Sequence, residues 1–378
     1  MANTSSSLIG QKKKKQQQLM QHLQPLIPGL PEPVAQICLA LVGDPFLLFS
    51  VCHSWRRLLY SPSFPPFLSL YAFLSSSNPT PLSSSQSTKL PSTSVQILTF
   101  DPISSTWQRL PPPPPDPPLQ LLLRHHPSFL SRNLPIQSIS VAGKLILLAA
   151  STYDLHPALS RPLIFDPISQ NWSFGPTLPN PRRWCALGAS NGSVYIASGI
   201  GTKFSPHVAR SMEKWDFTRN PNNGKWEKKR DLKHGRFSRD AIDAVGWRGK
   251  LCMVNVKGDA AAKEGLFERD GRRCRKGWRR GPVGAMSETV MYGVDDADGA
   301  LRKYDEQKDD WEEIVKSERL RGAEQVVAEG RRVCVVAGGG ISVVDVTATP
   351  ARIWVVELPA GLEAVAVHVL PRMPAPHT

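Results

Sequence analysis

The chain has 378 residues, 41% of them hydrophobic, and a formal net charge of +14. That length and apolar content suffice for a sizeable core or one large closed array, and no long uninterrupted apolar run is present, so no membrane-spanning helix is expected. The six cysteines (Cys38, Cys52, Cys185, Cys252, Cys274, Cys334) form no CxxC pair and no metal spacing with His. They read as reduced, mostly buried thiols of an intracellular protein of the nucleus or cytoplasm, with no disulfide framework, metal or other cofactor expected.

Residues 1–24 are Ser-, Lys- and Gln-rich and read as a disordered tail. Its run Lys12 to Lys15 is either a solvated stretch or a nuclear import signal. From residue 25 the pattern changes. Leu26 to Pro31 is a turn-rich entry, after which Val34, Ile37, Cys38 and Leu41 fall on one helical face. Gly43 ends that helix, and Asp44-Pro45 restarts one with an N-cap and a first-turn proline. Leu48, Val51, Cys52, Trp55, Leu58 and Leu59 line the next face, and Ser61-Pro62 closes it. A helical unit over 25–67 is small for an independent core. It is expected to leave apolar surface that a partner covers.

From residue 68 onward the chain reads as strands. An Asp followed by a Trp recurs: Asp101/Trp107, Asp166/Trp172, Asp216/Trp226, Asp270/Trp278, Asp305/Trp311 and Asp345/Trp354. Each unit has an apolar strand, a turn such as Gly143-Lys144, Asn191-Gly192 or Gly330, a stronger strand, a third ending in Asp and a fourth holding Trp. Asn-Gly between strands is a hairpin signal. Four strands in each of six units predict a mainly β fold, a six-bladed propeller over 68–378. The fourth unit is the most degenerate. The first lacks its opening strand, and residues 363–370 are expected to supply it, closing the ring and hiding two sheet edges. The Trp residues are expected to pack between blades. Residues 75–94 and 111–118 are low-complexity loops, the second a stiff polyproline stretch.

Other motifs weaken on inspection. Gly188 to Gly192 matches G-x-S-x-G, but a nucleophile elbow needs a strand–turn–helix, and here a second strand follows. Gly338-Gly339-Gly340 lacks the Lys-Ser/Thr of a phosphate loop and fits a strand end with positive φ. Residues 203–280 hold 22 Lys and Arg against 10 Asp and Glu, a balance of +12. A basic face draws acidic partners or nucleic acid; with no nucleic-acid motif, an acidic protein partner is favoured. Arg183, Arg239 and Arg321 lie nine or ten residues before their units' turn glycines (Gly192, Gly249, Gly330). They are candidates for one end of the propeller channel, where Arg pairs with carboxylate or phosphate; capping of blade edges is the other reading.

Two stretches carry a family resemblance. Leu26 to Phe64, with LIPGLPEPVAQICLALV and then VCHSWRRLLYSPSF, resembles an F-box. The strand units resemble kelch repeats, with Ala149-Ala150 and Ser198-Gly199 departing from the usual paired glycines. The chain thus resembles plant F-box/kelch-repeat proteins over residues 26 to about 370, and the F-box part is the more specific. The resemblance implies a small all-α F-box preceding a six-bladed kelch-type β-propeller, in a non-catalytic substrate receptor of an SCF ubiquitin ligase. The F-box would bind a Skp1-type adaptor, and through it a cullin, with Leu30, Pro31, Ile37, Cys38, Leu48, Val51, Cys52 and Trp55 at the contact. The propeller would hold the target protein. Competing classes are a kelch-propeller oxidase, which needs a metal or cofactor constellation that the sequence lacks, a nucleic-acid-associated scaffold, and a propeller scaffold outside ubiquitination.

Overall fold

A computed structural model describes residues 25–42, 45–61, 64, 67–76, 93–115, 122–123, 136–150, 156–222, 224–232, 242–255, 266–267 and 281–374. The tail over 1–24, most of the 75–94 insert, the end of the polyproline stretch, the Asp44 cap, Cys274, and Asp270 with Trp278 lie outside the described residues. The chain divides into two compact units, one of Met1–Phe67, Asp101–Thr106 and Arg372–Thr378, the other of Leu68–Phe100 and Trp107–Pro371.

The first unit holds the helices α1 (Glu32–Ala40), α2 (Pro45–Val51) and α3 (His53–Leu59). Glu32 and a first-turn proline start α1, where an acidic side chain suits the helix dipole. Cys52 is extended (φ −158°, ψ 168°) and divides the apolar residues from Leu48 to Leu59 between α2 and α3, in keeping with the two or three short helices expected. Leu39, Leu48, Leu58, Leu59 and Phe64 form the core together with Ile103, 3% exposed. Arg372 makes a paired contact to Asp101, 2.7 and 3.1 Å, and stacks on the Tyr60 ring. The sequence ends this unit at residue 67; the segments 101–106 and 372–378, read there as part of the propeller, belong to it.

The second unit is a β-propeller. Its first sheet has the order β24 (Leu362–Pro371), β1 (Leu68–Ser76), β2 (Thr93–Asp101), β3 (Thr106–Arg109), with β4 (Leu122–Leu123) beside β2. The second is β5 (Ile136–Val141), β6 (Lys144–Ala150), β7 (Leu163–Asp166) and β8 (Asn171–Phe174). The third is β9 (Ala186–Ser190), β10 (Ser193–Ala197), β11 (Met212–Asp216) and β12 (Trp226–Lys228). Next comes β13 (Ile242–Trp247), β14 (Lys250–Asn255) and β15 (Leu266–Phe267), three strands among the described residues. The last two are β16 (Val283–Met286), β17 (Val290–Asp295), β18 (Ala300–Asp305), β19 (Asp310–Lys316), then β20 (Ala323–Glu329), β21 (Arg332–Ala337), β22 (Gly340–Asp345), β23 (Arg352–Val356). Five blades therefore have four strands or more, against the six predicted. The difference lies in the unit that is most degenerate in sequence, whose Asp270 and Trp278 fall outside the described residues. The inner strands neighbour one another in the order β24, β5, β9, β13, β16, β20 and back to β24.

Turn chemistry sets the blade pattern. The pairs Ala142-Gly143, Asn191-Gly192, Arg248-Gly249 and Gly330-Arg331 all have positive φ at both residues and join inner to second strands across two-residue loops. That is the type I′ hairpin turn, whose twist matches the flanking strands. Gly338-Gly339 does the same between β21 and β22, so the triple glycine is turn chemistry. Ser190 ends β9 and a hairpin follows, which is not the geometry of a nucleophile elbow.

The Asp–Trp spacing has a cause as well. Asp101, Asp166, Asp305 and Asp345 each accept the backbone N–H two residues on (Ile103, Ile168, Gln307, Thr347), 2.9 to 3.0 Å. These Asx turns open the outer hairpins. Where the spacing is six, the residue four after Asp (Ser105, Gln170, Asp309) is left-handed, which fixes the loop length. The aromatic residue before Asp then faces the Trp across the hairpin: Phe165 on Trp172 at 5.0 Å, Trp215 on Trp226 at 5.5 Å, Tyr304 on Trp311 at 5.3 Å.

Three of these Trp residues tie neighbouring blades. The indole N–H of Trp107 donates to Glu357 O at 2.7 Å, that of Trp172 to Pro111 O at 2.8 Å, and that of Trp226 to Pro176 O at 3.2 Å. Each acceptor lies one or two residues past the outer strand of the preceding blade. The apolar clusters likewise straddle blades, as where Ile146 and Leu148 pack with Leu187 and Ile196. The cores lie between sheets.

The closing strand has a titratable clasp. His368 on β24 is buried, shares a 2.9 Å hydrogen bond with Ser138 on β5, and meets the Phe73 ring. Burial pushes its pKa down to about 4 from the ordinary 6.5. An unfolded chain binds this proton near the ordinary value and the folded chain does not. The resulting stability is present above that value and lost as pH falls from 6.5 to about 4. The loss is up to about 3 kcal/mol. Asp345 adds a later loss, because the Thr347 hydroxyl and N–H hold it below the usual carboxylate range. Denaturant midpoints are therefore expected to drop between pH 7 and 4.5, and His368→Gln to flatten that drop. An unchanged slope in the variant would remove His368 from the account.

Candidate interaction surfaces

The helical unit presents an apolar face. Val34, Ile37 and Leu41 on and just beyond α1 are 44, 63 and 77% exposed, and Leu47 and Val51 of α2 are 57 and 54% exposed. Leu30, Pro31, Cys38 and Cys52 are also exposed. Of the eight residues implied by the resemblance, six are thus accessible. Leu48 is not: at 2% exposure it is a core residue. Trp55 is half-buried and anchors the entry segment, its N–H donating to Leu26 O at 2.6 Å. Val34, Leu41 and Leu47 belong to the face instead. The helical periodicity marked Val34 and Leu41 but left open whether they faced the core or a partner. Ala35 and Leu39 take the core side of α1.

The candidate arginines are placed differently from one another. Arg183 lies just before β9 and Arg321 just before β20, both at the entry ends of inner strands. Arg183 is half-buried; its main chain bridges Ile200, its Nη1 donates to Gly201 O at 3.2 Å, and its guanidinium stacks on Trp184 at 4.5 Å. Desolvation lowers its pKa. Arg321 is exposed and pairs with Glu318 at 2.9 Å. Arg239 lies outside the described residues.

Sequence reasoning passed over Arg182. Its side chain is fully buried and donates to Asn180 O at 2.9 Å, Ser198 O at 3.1 Å, Ser211 Oγ at 2.8 Å and Glu213 Oε2 at 2.6 Å. Asn180 Nδ2 completes the carboxylate from the other side at 3.1 Å. Nothing in the tandem Arg182-Arg183 says which one turns inward. The signal was Glu213, an acid at a position that β11 buries beside Met212 and Trp215.

The channel holds a cavity of about 890 Å³, lined by inner strands from mid-strand to their hairpins. Its polar lining includes Ser138, Ser140, Asn191, Arg248, Glu288, Gln325, Glu329 and His368. Neither Arg183 nor Arg321 lines it. Among the described residues no group of three His, Cys, Asp or Glu side chains could hold a metal ion, and no helix is long and apolar enough to cross a membrane.

Comparison with known proteins fits this architecture. No family model matches the chain. It is 53% identical over 367 residues to the F-box/kelch-repeat protein SKIP25 of Arabidopsis thaliana, covering 93% of this chain and 91% of that protein.

Proposed function

We propose that this chain, which belongs to the plant F-box/kelch-repeat protein family, is the substrate-recognition subunit of an SCF-type E3 ubiquitin ligase. Its helical unit binds a Skp1-type adaptor and, through it, a cullin. Its propeller holds the target protein, and it works inside the cell, in nucleus or cytoplasm. The observation that carries the reading is the face of Val34, Ile37, Leu41, Leu47 and Val51, large apolar side chains left exposed on one small helical unit. Burying the exposed part of each against a partner stabilises the complex by about 1–2 kcal/mol. Leu30, Pro31, Cys38 and Cys52 border the contact, Leu48 supports it from the core, and Trp55 fixes the entry segment. The three-strand sheet of β13, β14 and β15 counts as a blade too, which makes the ring six-bladed. Arg183, Arg239 and Arg321 meet an acidic or phosphorylated segment of the target, to which the basic stretch 203–280 adds long-range attraction.

Capture of the adaptor by the purified full chain tests this. Ile37→Asp with Val51→Asp should reduce capture at least a hundredfold at an unchanged melting temperature, since both residues are exposed. Equal capture by a folded double variant would end the adaptor reading. In cells with the proteasome blocked, Arg183→Gln with Arg239→Glu and Arg321→Glu should weaken target capture and spare the adaptor. Unaltered target capture would place recognition elsewhere on the propeller.

A further inference from the structure

We propose that the propeller channel binds a primary alkylammonium group, carried by a lysine side chain of a protein or by a free polyamine. The site stands on the propeller alone and does not depend on adaptor binding. A cavity of about 890 Å³ is in the range of sites that enclose small ligands or a short run of peptide. Its charge runs against the chain's. In a protein of net charge +14, the ionisable side chains on the wall are two carboxylates, Glu288 and Glu329, one guanidinium, Arg248, and the buried His368. Arg248 is neutralised by its bond to Glu306. His368 is hydrogen-bonded to Ser138, and burial keeps it uncharged at neutral pH. The wall therefore carries net negative charge.

The two carboxylates differ in a way that selects the ligand. Both oxygens of Glu288 already accept from Asn191 N–H, at 3.0 and 2.8 Å, and one also accepts from Ser190 Oγ at 3.2 Å. Glu288 is thus a fixed anion with no open edge for the two-pronged grip of a guanidinium. Glu329, at the end of β20, is half-buried and has no ion pair among the described residues. Burial pushes its carboxyl up, with only the Gly330 N–H opposing. A compact ammonium with three donors needs one such carboxylate and nearby hydroxyl or carbonyl acceptors. Ser138 and Ser140 add hydroxyls to the lining of the same cavity. A metal ion would need more donors than the described residues assemble.

The test is calorimetric titration of the full-length protein with spermidine, with a pentapeptide bearing one central lysine, and with its acetyl-lysine counterpart. Saturable binding of spermidine, the lysine peptide or both is expected, and which one binds tells the free amine from the protein side chain. Acetylation should weaken peptide binding at least tenfold, because it removes the charge. Glu329→Gln should weaken binding about tenfold or more, the loss of one charge-assisted hydrogen bond. Glu312→Gln, exposed on β19, should change nothing. At mildly acidic pH, binding should release a proton from the wild type and not from Glu329→Gln. No saturable binding of any probe, or an equal loss in both variants, overturns the proposal. Adaptor capture on the same samples reports the receptor reading separately.

Discussion

Deleting residues 362–378 is expected to leave a propeller that aggregates or melts far below the intact protein. The deletion removes β24, which pairs with β1 from Leu68 against Pro371 to Ser76 against Leu362. It strips Ala364, Val367 and Leu370, at most 5% exposed, out of the core. The strand is also held from both sides. Gln325 of the sixth sheet accepts from Val367 N–H at 2.6 Å and donates to Val367 O at 3.0 Å, His368 bonds Ser138 of the second sheet, and the Tyr71 hydroxyl donates to Pro371 O at 2.7 Å. Val367 and Leu370 alone account for several kcal/mol, comparable with the whole stability of many domains. The deletion also leaves the inner edge of β1 unpaired, a template for association. Sedimentation and thermal melting check this. A monomeric truncated chain with an unchanged midpoint would mean that the ring does not depend on β24.

Much of this propeller was legible because local chemistry dictates it. Type I′ turns at Asn191-Gly192 and the Asp-capped outer loops leave period-specific marks, and the closing strand was readable from the missing opening strand of the first unit. Other features were legible only in part. Where Gly-Gly gives way to Ser198-Gly199, the backbone demand persists: Ser198 is left-handed at φ 60°, and Gly199 at φ 102° packs so close to Arg183 O that a Cβ would sit 2.9 Å from it. The helical unit was harder. Apolar periodicity marks amphipathic helices but not which stripe faces inward: α1 hides Ala35 and Leu39, while Ile37, and Leu41 just beyond its end, stay exposed. Nor could it reveal that Ile103, far along the chain, completes that core. The channel carboxylates escaped notice because Glu288 and Glu329 lie in an acidic stretch of sequence, and only the ring topology turns those two toward the cavity.

Replacing Arg182 by Met should destabilise the propeller by about 3–5 kcal/mol, the cost of a buried charge left without its partner. Glu213 would keep only Asn180, and the Ser198 and Asn180 carbonyls would each lose a donor. A shift of this size lowers the melting temperature by roughly 10 °C in a chain this large. The neighbouring Arg183 gives a contrast, since its partly solvated guanidinium donates to one carbonyl and stacks on one ring. Arg183→Met should cost much less. The decisive variant pairs Arg182→Met with Glu213→Leu. Removing both charges eliminates the orphaned carboxylate, so the double variant should recover most of the loss, a coupling that a mutant cycle reads directly. If the two single losses instead added, the pair would not act as one unit, and the buried arginine would matter for its bonds to the Ser198 and Asn180 carbonyls and the Ser211 hydroxyl.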